Sequence, residues 1–593
     1  MLFLALGGLL VFMALLRFRG NDYLLPLLVE PDPHIAVQVR LLEEHAPEPE
    51  LDVNYGAYPH LTAWTTIAMT DPAEVPPPTI DGRPPGLEDH LRAASDPVLR
   101  VRWAVGWLSL LALPGAWFLA RRFLSPGWSL VATAFTAFSL LAAHFGAQAR
   151  PHGAAMGFST LAVVACLRLG RTGRVRDLAL ASLLAALCFA TLQSGIALAF
   201  PILVAFLVAE RRHSGSYWTS GWRSAQLALP LIALCLVLGL FYPFLFAHSQ
   251  GGDAAELSVA AGTLKQSGHK VFLGLFNGRG FPVLASSLWS WEPMLAVASV
   301  SALLVLLGTF RGRTPEGLRV DRGDLLVVFA YVLPYLLVNG MYARVYERFL
   351  LPMIPFLGTF AAWGLARLAV TPCAKAIPVV TALLLLPSAW VGWQLTELRR
   401  APNTLELAGA WLEEHADPAS DRVLITRPVR LPFFETLLSE AEEGGDPSHD
   451  PRLTWTEYQS QVLPDARPAP AWNAVWMPLS NRPGLNRLKF MAQNPERYVQ
   501  QRFGAYLVAE VFAEGRISRG LEAVHEVFRA QGELLARFSP DGQLSISEHP
   551  LKYQDETGVS VPHFAWRVLR AECMGPVLEI LRPPHLQPRG RQQ

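Results

Sequence analysis

The chain has 593 residues, 51% of them hydrophobic and 17% charged, with a net charge of +1 and a mean hydropathy of +0.27. Soluble domains carry about 25% charged residues, so an ordinary soluble globule is excluded. The near-neutral balance, with no long basic run, points away from a nucleic-acid partner.

Met1 to Leu16 is almost wholly apolar and is followed by Arg17 and Arg19. It lacks the basic start and small-residue cleavage site of a signal peptide, so it reads as an uncleaved first span. Ten further apolar runs follow, about 104–120, 128–147, 153–169, 178–193, 196–209, 227–247, 293–310, 325–341, 349–369 and 377–395. A span needs about 20 residues, so the shorter runs must extend into their flanks. Basic clusters fall on every second loop: Arg121 and Arg122; Arg168, Arg171, Arg174 and Arg176; Arg211, Arg212 and Arg223; and Arg311, Arg313, Arg319 and Arg322. The positive-inside tendency then puts the N-terminus in the cytoplasm. Residues 17–98, residues 248–291 and everything after Leu395 face outward. The fold class expected is a polytopic α-helical membrane protein of about eleven spans with a C-terminal extracytoplasmic α/β domain. The membrane domain covers 1–396 and the soluble domain 397–593.

The long first outer loop is patterned. Pro33–His45 places Ile35, Val39 and Leu42 on one helical face, with Gln38, Arg40, Glu43 and Glu44 elsewhere, as in a helix lying along a membrane surface. Leu61–Met69 is a second apolar stretch, and Asp71–Pro85 reads as an irregular loop. In the tail, Asn403–His415 reads as a capped helix. Arg422–Thr426, Ala505–Glu510, Gln543–Ile546 and Pro576–Leu581 read as strands, and Gly520–Phe538 as helix. Four of the five cysteines lie in or beside apolar runs, and Cys573 is alone in the tail, so no disulfide framework is expected there. No Cys-x-x-Cys or His-Glu-x-x-His spacing occurs, so no metal ligands are assigned.

Candidate chemistry sits on the outward loops. Asp32, after Glu30 and before Pro33 and His34, has the form of a helix N-cap. A carboxylate held at that depth also suits a general base acting on an incoming acceptor. His144, Gln148, Arg150 and His152 stand at a helix entrance, where a guanidinium and two imidazoles grip a phosphate or where an arginine snorkels to the interface. Arg344, Glu347 and Arg348 form a doubly basic cluster outside the tenth run, which calls for an acidic or anionic partner. His269, between Lys265 and Lys270, reads as part of a solvated loop. Neither a Walker loop nor a Gly-x-Gly-x-x-Gly turn is present, so a phosphate donor would arrive already in the membrane.

Three motifs carry a family resemblance. Glu30-Pro-Asp32-Pro-His34 followed by Tyr58-Pro-His-Leu61 is similar to a Pro-Asp-Glu element followed by Tyr-Pro-x-Leu. Gln148-Ala-Arg150-Pro-His152 is similar to Glu-x-Arg-x-Tyr, and Arg348-Phe-Leu-Leu-Pro352-Met-Ile-Pro355 to Arg-Tyr-x-x-Pro-x-x-Pro. In order and placement the chain resembles the GT-C superfamily of membrane glycosyltransferases, within it the bacterial protein-mannosyltransferase-like and aminoarabinose-transferase-like enzymes. The resemblance implies a bacterial plasma-membrane enzyme whose donor is a polyprenyl-phosphate sugar. The acceptor would be a lipid, a glycan or a protein, and the transfer inverting. It implies Asp32 as base with Glu30 as paired acid. The substrate-binding candidates are His34, Tyr58, His144, Arg150, His152, His269, Arg344 and Arg348. Pro33 stands where the family has Glu, Gln148 where it has an acid, and His152 where it has Tyr. A transporter of a polar lipid and an inactive homologue with a binding role are the rival readings; transporters usually show internal repeats and broken midplane helices.

Overall fold

The structure is a computed structural model that describes residues 1–28, 34–44, 58–71, 85–214, 226, 228–241, 257–258, 263–266, 269–272, 275–309, 321–343, 345–426, 429–436, 454–477, 487–502, 504–511, 519–540 and 563–583. Among the described residues, six helices are long and apolar enough to cross a membrane: Leu87–Ala120, His152–Thr172, Gln193–His213, Arg322–Met341, Glu347–Leu368 and Ala374–His415. Gly280–Trp291 and Pro293–Leu307, bent by 117°, make a seventh if they form one span. These contain seven of the predicted runs. The other four are also helical. Leu2–Phe18 and Ala228–Phe241 are short apolar helices, Val175–Thr191 is helical, and 128–147 is split into Pro126–Ala137 and Leu140–Phe145. The expected outer loop ends at Gly86 rather than Val98. There the Asp89 carboxylate accepts the Gly86 N–H at 3.0 Å and starts the helix Leu87–Ser109.

Three of the basic clusters meet at one end of the bundle. Arg122, Arg171 and Arg212 come from the far ends of three different helices and surround Asp324, at 2.9, 2.9 and 3.9 Å. Arg212 also pairs with Asp321 at 2.5 Å, the residue whose side chain caps the helix Arg322–Met341. The shared face expected from the alternation is therefore built as an ion-pair cluster. Arg150 and His152 stand at the opposite end of the helix His152–Thr172 from Arg171. Twenty-one residues at 1.5 Å rise separate the two ends by roughly 30 Å.

In the first outer loop, His34–Glu44 and Leu61–Met69 are helices. Ile35 and Val39 are buried as expected. Gln38, expected off the apolar face, is buried too, because its amide donates to the Tyr58 carbonyl at 2.8 Å. This helix thus packs against protein: Ile35 and Val39 share a hydrophobic cluster with Val105, Ala149, Met353 and Phe356. The segment around His269, expected as loop, forms a hairpin. Strands β1 (Leu257–Ser258), β2 (Thr263–Gln266) and β3 (His269–Phe272) pair antiparallel in that order, with His269 opposite Gln266.

The tail contributes a five-stranded sheet of β4 (Arg422–Thr426), β5 (Asn473–Met477), β6 (Tyr506–Glu510), β7 (Glu533–Phe538) and β8 (Leu578–Arg582), in the order β5-β4-β6-β8-β7. β4 runs parallel to both β5 and β6, and β8 is antiparallel to β6 and β7. The helix Thr404–His415 opens on a capping box of Asn403 and Glu406. The helix expected over 520–538 stops at Gln531, and 533–538 is β7. Those residues favour helix intrinsically, but Gly532 closes against the Arg582 carbonyl so tightly that a Cβ there would lie 2.3 Å from it. Pairing with β8 then overrides propensity. The predicted strand 543–546 lies outside the described residues.

Inside this sheet Glu579 is fully buried. It accepts from His525 Nε2 at 3.0 Å and from Arg529 at 2.9 and 2.5 Å. Burial raises the carboxyl pKa, but these hydrogen bonds and the Arg529 charge outweigh it and hold the group at about 2. A depressed carboxyl stabilises the fold fully above its ordinary value near 4.5, and the contribution is lost as pH falls towards 2. Full-length protein and Glu579→Gln are therefore expected to differ in unfolding free energy at pH 7, by up to about 3 kcal/mol. Denaturation midpoints should converge as pH drops from 4.5 to 2; a gap that widens on acidification would contradict the pairing.

Candidate functional site: a buried arginine centre

The site is organised by residues 139–153. Ser139 caps the short helix Leu140–Phe145, its Oγ accepting from the Ala142 N–H at 3.0 Å. Glu292, at the break between the two bent helices, accepts from Ser139 Oγ at 2.6 Å and from the Leu141 N–H at 2.8 Å. A carboxylate at a helix N-terminus complements the dipole there, so the position of His144 is held from across the bundle. Past Phe145 the chain turns back on itself. Gly153 and Gly146 approach so closely that a Cβ on Gly153 would sit 3.2 Å from the Gly146 Cα. The Arg150 N–H donates to the Gln148 carbonyl at 2.7 Å, and the helix resumes at His152.

Around this turn the structure gathers buried cations from distant parts of the chain. Arg399 reaches the His144 carbonyl at 3.5 Å, and Arg348 and His152 meet the same Phe349 ring, at 5.8 and 5.6 Å. Arg102 donates to the carbonyls of Asn21 and Tyr23 at 2.7 and 3.0 Å. Its guanidinium lies 4.4 Å from the Tyr23 ring, and that of Arg399 4.9 Å from the same ring. Arg399 donates to the carbonyls of Leu16 and Ala143 at 3.0 and 3.2 Å. Arg17, fully buried, donates to Ser109 Oγ and the Met13 carbonyl, each at 3.2 Å. The hydrogen-bond partners of Arg17 and Arg399 are thus a hydroxyl and backbone carbonyls. Arg348 packs its guanidinium 4.3 Å from the Tyr346 ring, and Glu347 beside it is fully buried.

Several buried polar atoms here have no hydrogen-bond partner among the described residues: Arg17 Nη2, Arg399 Nε, His144 Nδ1, Gln148 Oε1 and His152 Nδ1. Burying a charge costs several kcal/mol unless it is compensated, and orphaned buried polar groups call for a missing partner. The two arginine nitrogens among them are donors, and with the guanidinium groups around them they suit an anion with several oxygens, such as a phosphate.

The walls are aromatic. His144 Nε2 and Gln148 Nε2 lie 2.9 Å apart. The His144 ring is 5.0 Å from Trp291 and 5.4 Å from Phe564, and His152 meets Phe349 edge-on at 5.6 Å. Phe564, from the tail, stacks on Trp291 at 3.6 Å and donates its N–H to Ser290 Oγ at 2.9 Å. The tail also touches the bundle where Tyr458 meets His90 Nδ1 at 2.9 Å.

Of the residues singled out in the sequence, His144, Arg150, His152 and Arg348 come together. Arg150 is 2% exposed, so it does not snorkel. His34, on the helix His34–Glu44, and Tyr58, just before the helix Leu61–Met69, face each other with rings 5.8 Å apart, and Tyr58 belongs to the same hydrophobic cluster as Ala149. Asp32, Glu30 and Arg344 lie outside the described residues, and of His269 only the backbone is described. Sequence reasoning missed Arg17, Arg102 and Arg399, which read as ordinary helix flanks, and also Glu292, Trp291 and Phe564. Arg102 stands two residues before the apolar run 104–120, where nothing local sets it apart from a flank. Among the described residues no set of three or more His, Cys, Asp or Glu is placed to hold a metal ion.

No protein-family model matches the chain, and no curated protein does. Solved structures similar to it include ArnT from Cupriavidus metallidurans bound to undecaprenyl phosphate, at 14% identity over 86% of this chain and 92% of that one, with a TM-score of 0.41. The oligosaccharyltransferase AglB from Archaeoglobus fulgidus, in complex with an inhibitory peptide and a dolichol-phosphate, is 11% identical over 95% of this chain and 77% of that one, with a TM-score of 0.40. The arabinofuranosyltransferase AftD from Mycobacteria is 15% identical over 98% of this chain and 40% of that one, with a TM-score of 0.39. The three are glycosyltransferases of the GT-C superfamily. Every one of these superpositions falls below a TM-score of 0.5, too distant a likeness to bear on function.

Proposed function

We propose that this chain is a membrane glycosyltransferase that moves a sugar from a polyprenyl-phosphate donor to an acceptor on the extracytoplasmic face. The observation that carries the reading is the gathering of buried arginines around the 139–153 turn: Arg102 and Arg399 on the Tyr23 ring, Arg399 on the Ala143 and His144 carbonyls, and Arg348 with His152 on the Phe349 ring, at the end of the bundle opposite the Asp324 cluster. With about eleven spans and a cytoplasmic N-terminus, that end lies outside. The tail from residue 397 would then form an extracytoplasmic domain.

In a single displacement, the acceptor hydroxyl oxygen bonds to the anomeric carbon as the bond from that carbon to the phosphate oxygen breaks. The hydroxyl proton passes to Asp32, with Glu30 as the neighbouring acid, and the configuration inverts. The lipid phosphate leaves with the electron pair, into the arginines. Developing charge there is stabilised by donors already in place, which costs no reorganisation at the moment of reaction. His144 and His152 flank the phosphate. His34 and Tyr58, whose rings lie 5.8 Å apart, are assigned to substrate binding together with His269 and Arg344.

The bent pair around Glu292 is the feature that a transporter would also show. Its carboxylate, however, is engaged by Ser139 and Leu141 and serves as a cap. The test is retention of polyprenyl phosphate by purified protein, read by native mass spectrometry. Arg150→Ala and Arg348→Ala each remove charge-assisted hydrogen bonds and are expected to weaken retention about ten-fold or more. Retention unchanged in both variants would overturn the phosphate assignment. Lipid that changes leaflet with no sugar transferred would establish the transporter instead.

A further inference from the structure

The helix Leu87–Ser109 has two working faces. Val98, Arg102, Val105 and Ser109 point inward, and Arg102 joins the arginine centre. Asp96, Arg100, Trp103 and Trp107, spaced by three or four residues, fall on another stripe of the same helix. With Thr70 and Asp71, at the end of the helix Leu61–Met69, they line an open groove of about 510 Å3.

Three observations define what this groove accepts. Its floor is aromatic: Trp103 and Trp107 are 40% and 49% exposed, and Phe18 stacks on Trp103 at 4.7 Å and meets Trp107 at a tilt at 5.0 Å, backing both indoles. Its charge is negative. The Arg100 guanidinium is already engaged by Glu43 at 2.5 and 3.2 Å and by Thr70 Oγ1 at 2.8 Å, which leaves the Asp71 and Asp96 carboxylates to set the sign. Its location is the boundary where the charged half of the helix meets the apolar run that begins at Ala104, the depth at which indoles settle in a bilayer.

We propose that this groove is a second lipid site, one that seats the head of a neutral glycolipid. Carboxylates accept hydrogen bonds from sugar hydroxyls, the indole faces take the apolar side of the ring, and the same carboxylates repel a phosphate. The groove is thus opposite in chemistry to the arginine centre, and one helix separates the two. Its use as a waiting place for the acceptor rests on the transferase reading; the binding itself does not.

The test uses full-length protein in phosphatidylcholine nanodiscs doped with either a monohexosyl diacylglycerol or phosphatidylglycerol, with retained lipid counted by native mass spectrometry. Wild type is expected to retain the hexosyl lipid preferentially. Asp96→Asn, which keeps the shape, should lower that retention about ten-fold, the worth of one hydrogen bond to a charged group. Asp96→Lys should turn the preference towards phosphatidylglycerol, and Trp103→Ala should lower hexosyl-lipid retention alone. Arg348→Ala should leave it unchanged while losing polyprenyl phosphate, which separates failure of this site from failure of the phosphate site. Equal retention of both lipids by wild type overturns the proposal. So does Trp103→Ala lowering both lipids alike, which would make the indoles membrane anchors only.

Discussion

Asp32→Asn is expected to lower sugar transfer about 10²–10⁴-fold, the usual loss when a general base is removed, while the protein still inserts and still retains polyprenyl phosphate. The asparagine keeps the size and shape of the aspartate, so the helix His34–Glu44 should persist. What is lost is the capacity to take the acceptor proton as the new bond forms. The measurement is radiolabelled sugar passing from polyprenyl phosphate to acceptor in proteoliposomes. Glu30→Gln run alongside reports whether the neighbouring acid shares the work, since a paired acid would make the two losses comparable. Near-full turnover by Asp32→Asn would remove the base assignment and leave the phosphate site standing.

Asp324→Asn is expected to destabilise the whole bundle by about 3 kcal/mol, at the low end of the range for breaking a buried ion pair. The carboxylate is 3% exposed and binds guanidinium groups from three helices that are distant in sequence. Arg171 and Arg212 can relax into water, being 47% and 27% exposed. Arg122, at 15% exposure, keeps its charge largely buried and carries most of the penalty. Thermal unfolding of the detergent-solubilised protein is the readout, and a midpoint unchanged within error would show that the cluster is a solvated surface network. Transfer activity per folded molecule should not change, because this end lies roughly 30 Å from the arginine centre.

How much was legible in the sequence follows from the range of the forces involved. Hydropathy and helical period are local, and each of the eleven apolar runs contains helix among the described residues. Capping is local too, so Asn403 marks the start of its helix correctly. Strand β5 and the turnover of 533–538 from helix to strand were not legible. Both depend on a partner strand, and β7 pairs with residues some 45 positions later. Gln38 was misplaced for the same reason: its burial depends on the carbonyl of Tyr58, 20 residues away.

The arginine centre shows the same division. Arg150, His152 and Arg348 stood out because charged residues beside apolar runs are expensive and therefore informative. Arg17 and Arg399 did not, since each also reads as a normal flank of a span. Arg17 reaches Ser109 across 92 residues, and Arg399 reaches Leu16 across 383. By itself the amino-acid order determined that the chain is helical, apolar and basic on alternate loops, because each of those properties is written within one or two helical turns. Only the tertiary structure decided that the scattered guanidinium groups share one buried centre, because charge burial is a property of what surrounds a residue and not of the residues beside it in the chain.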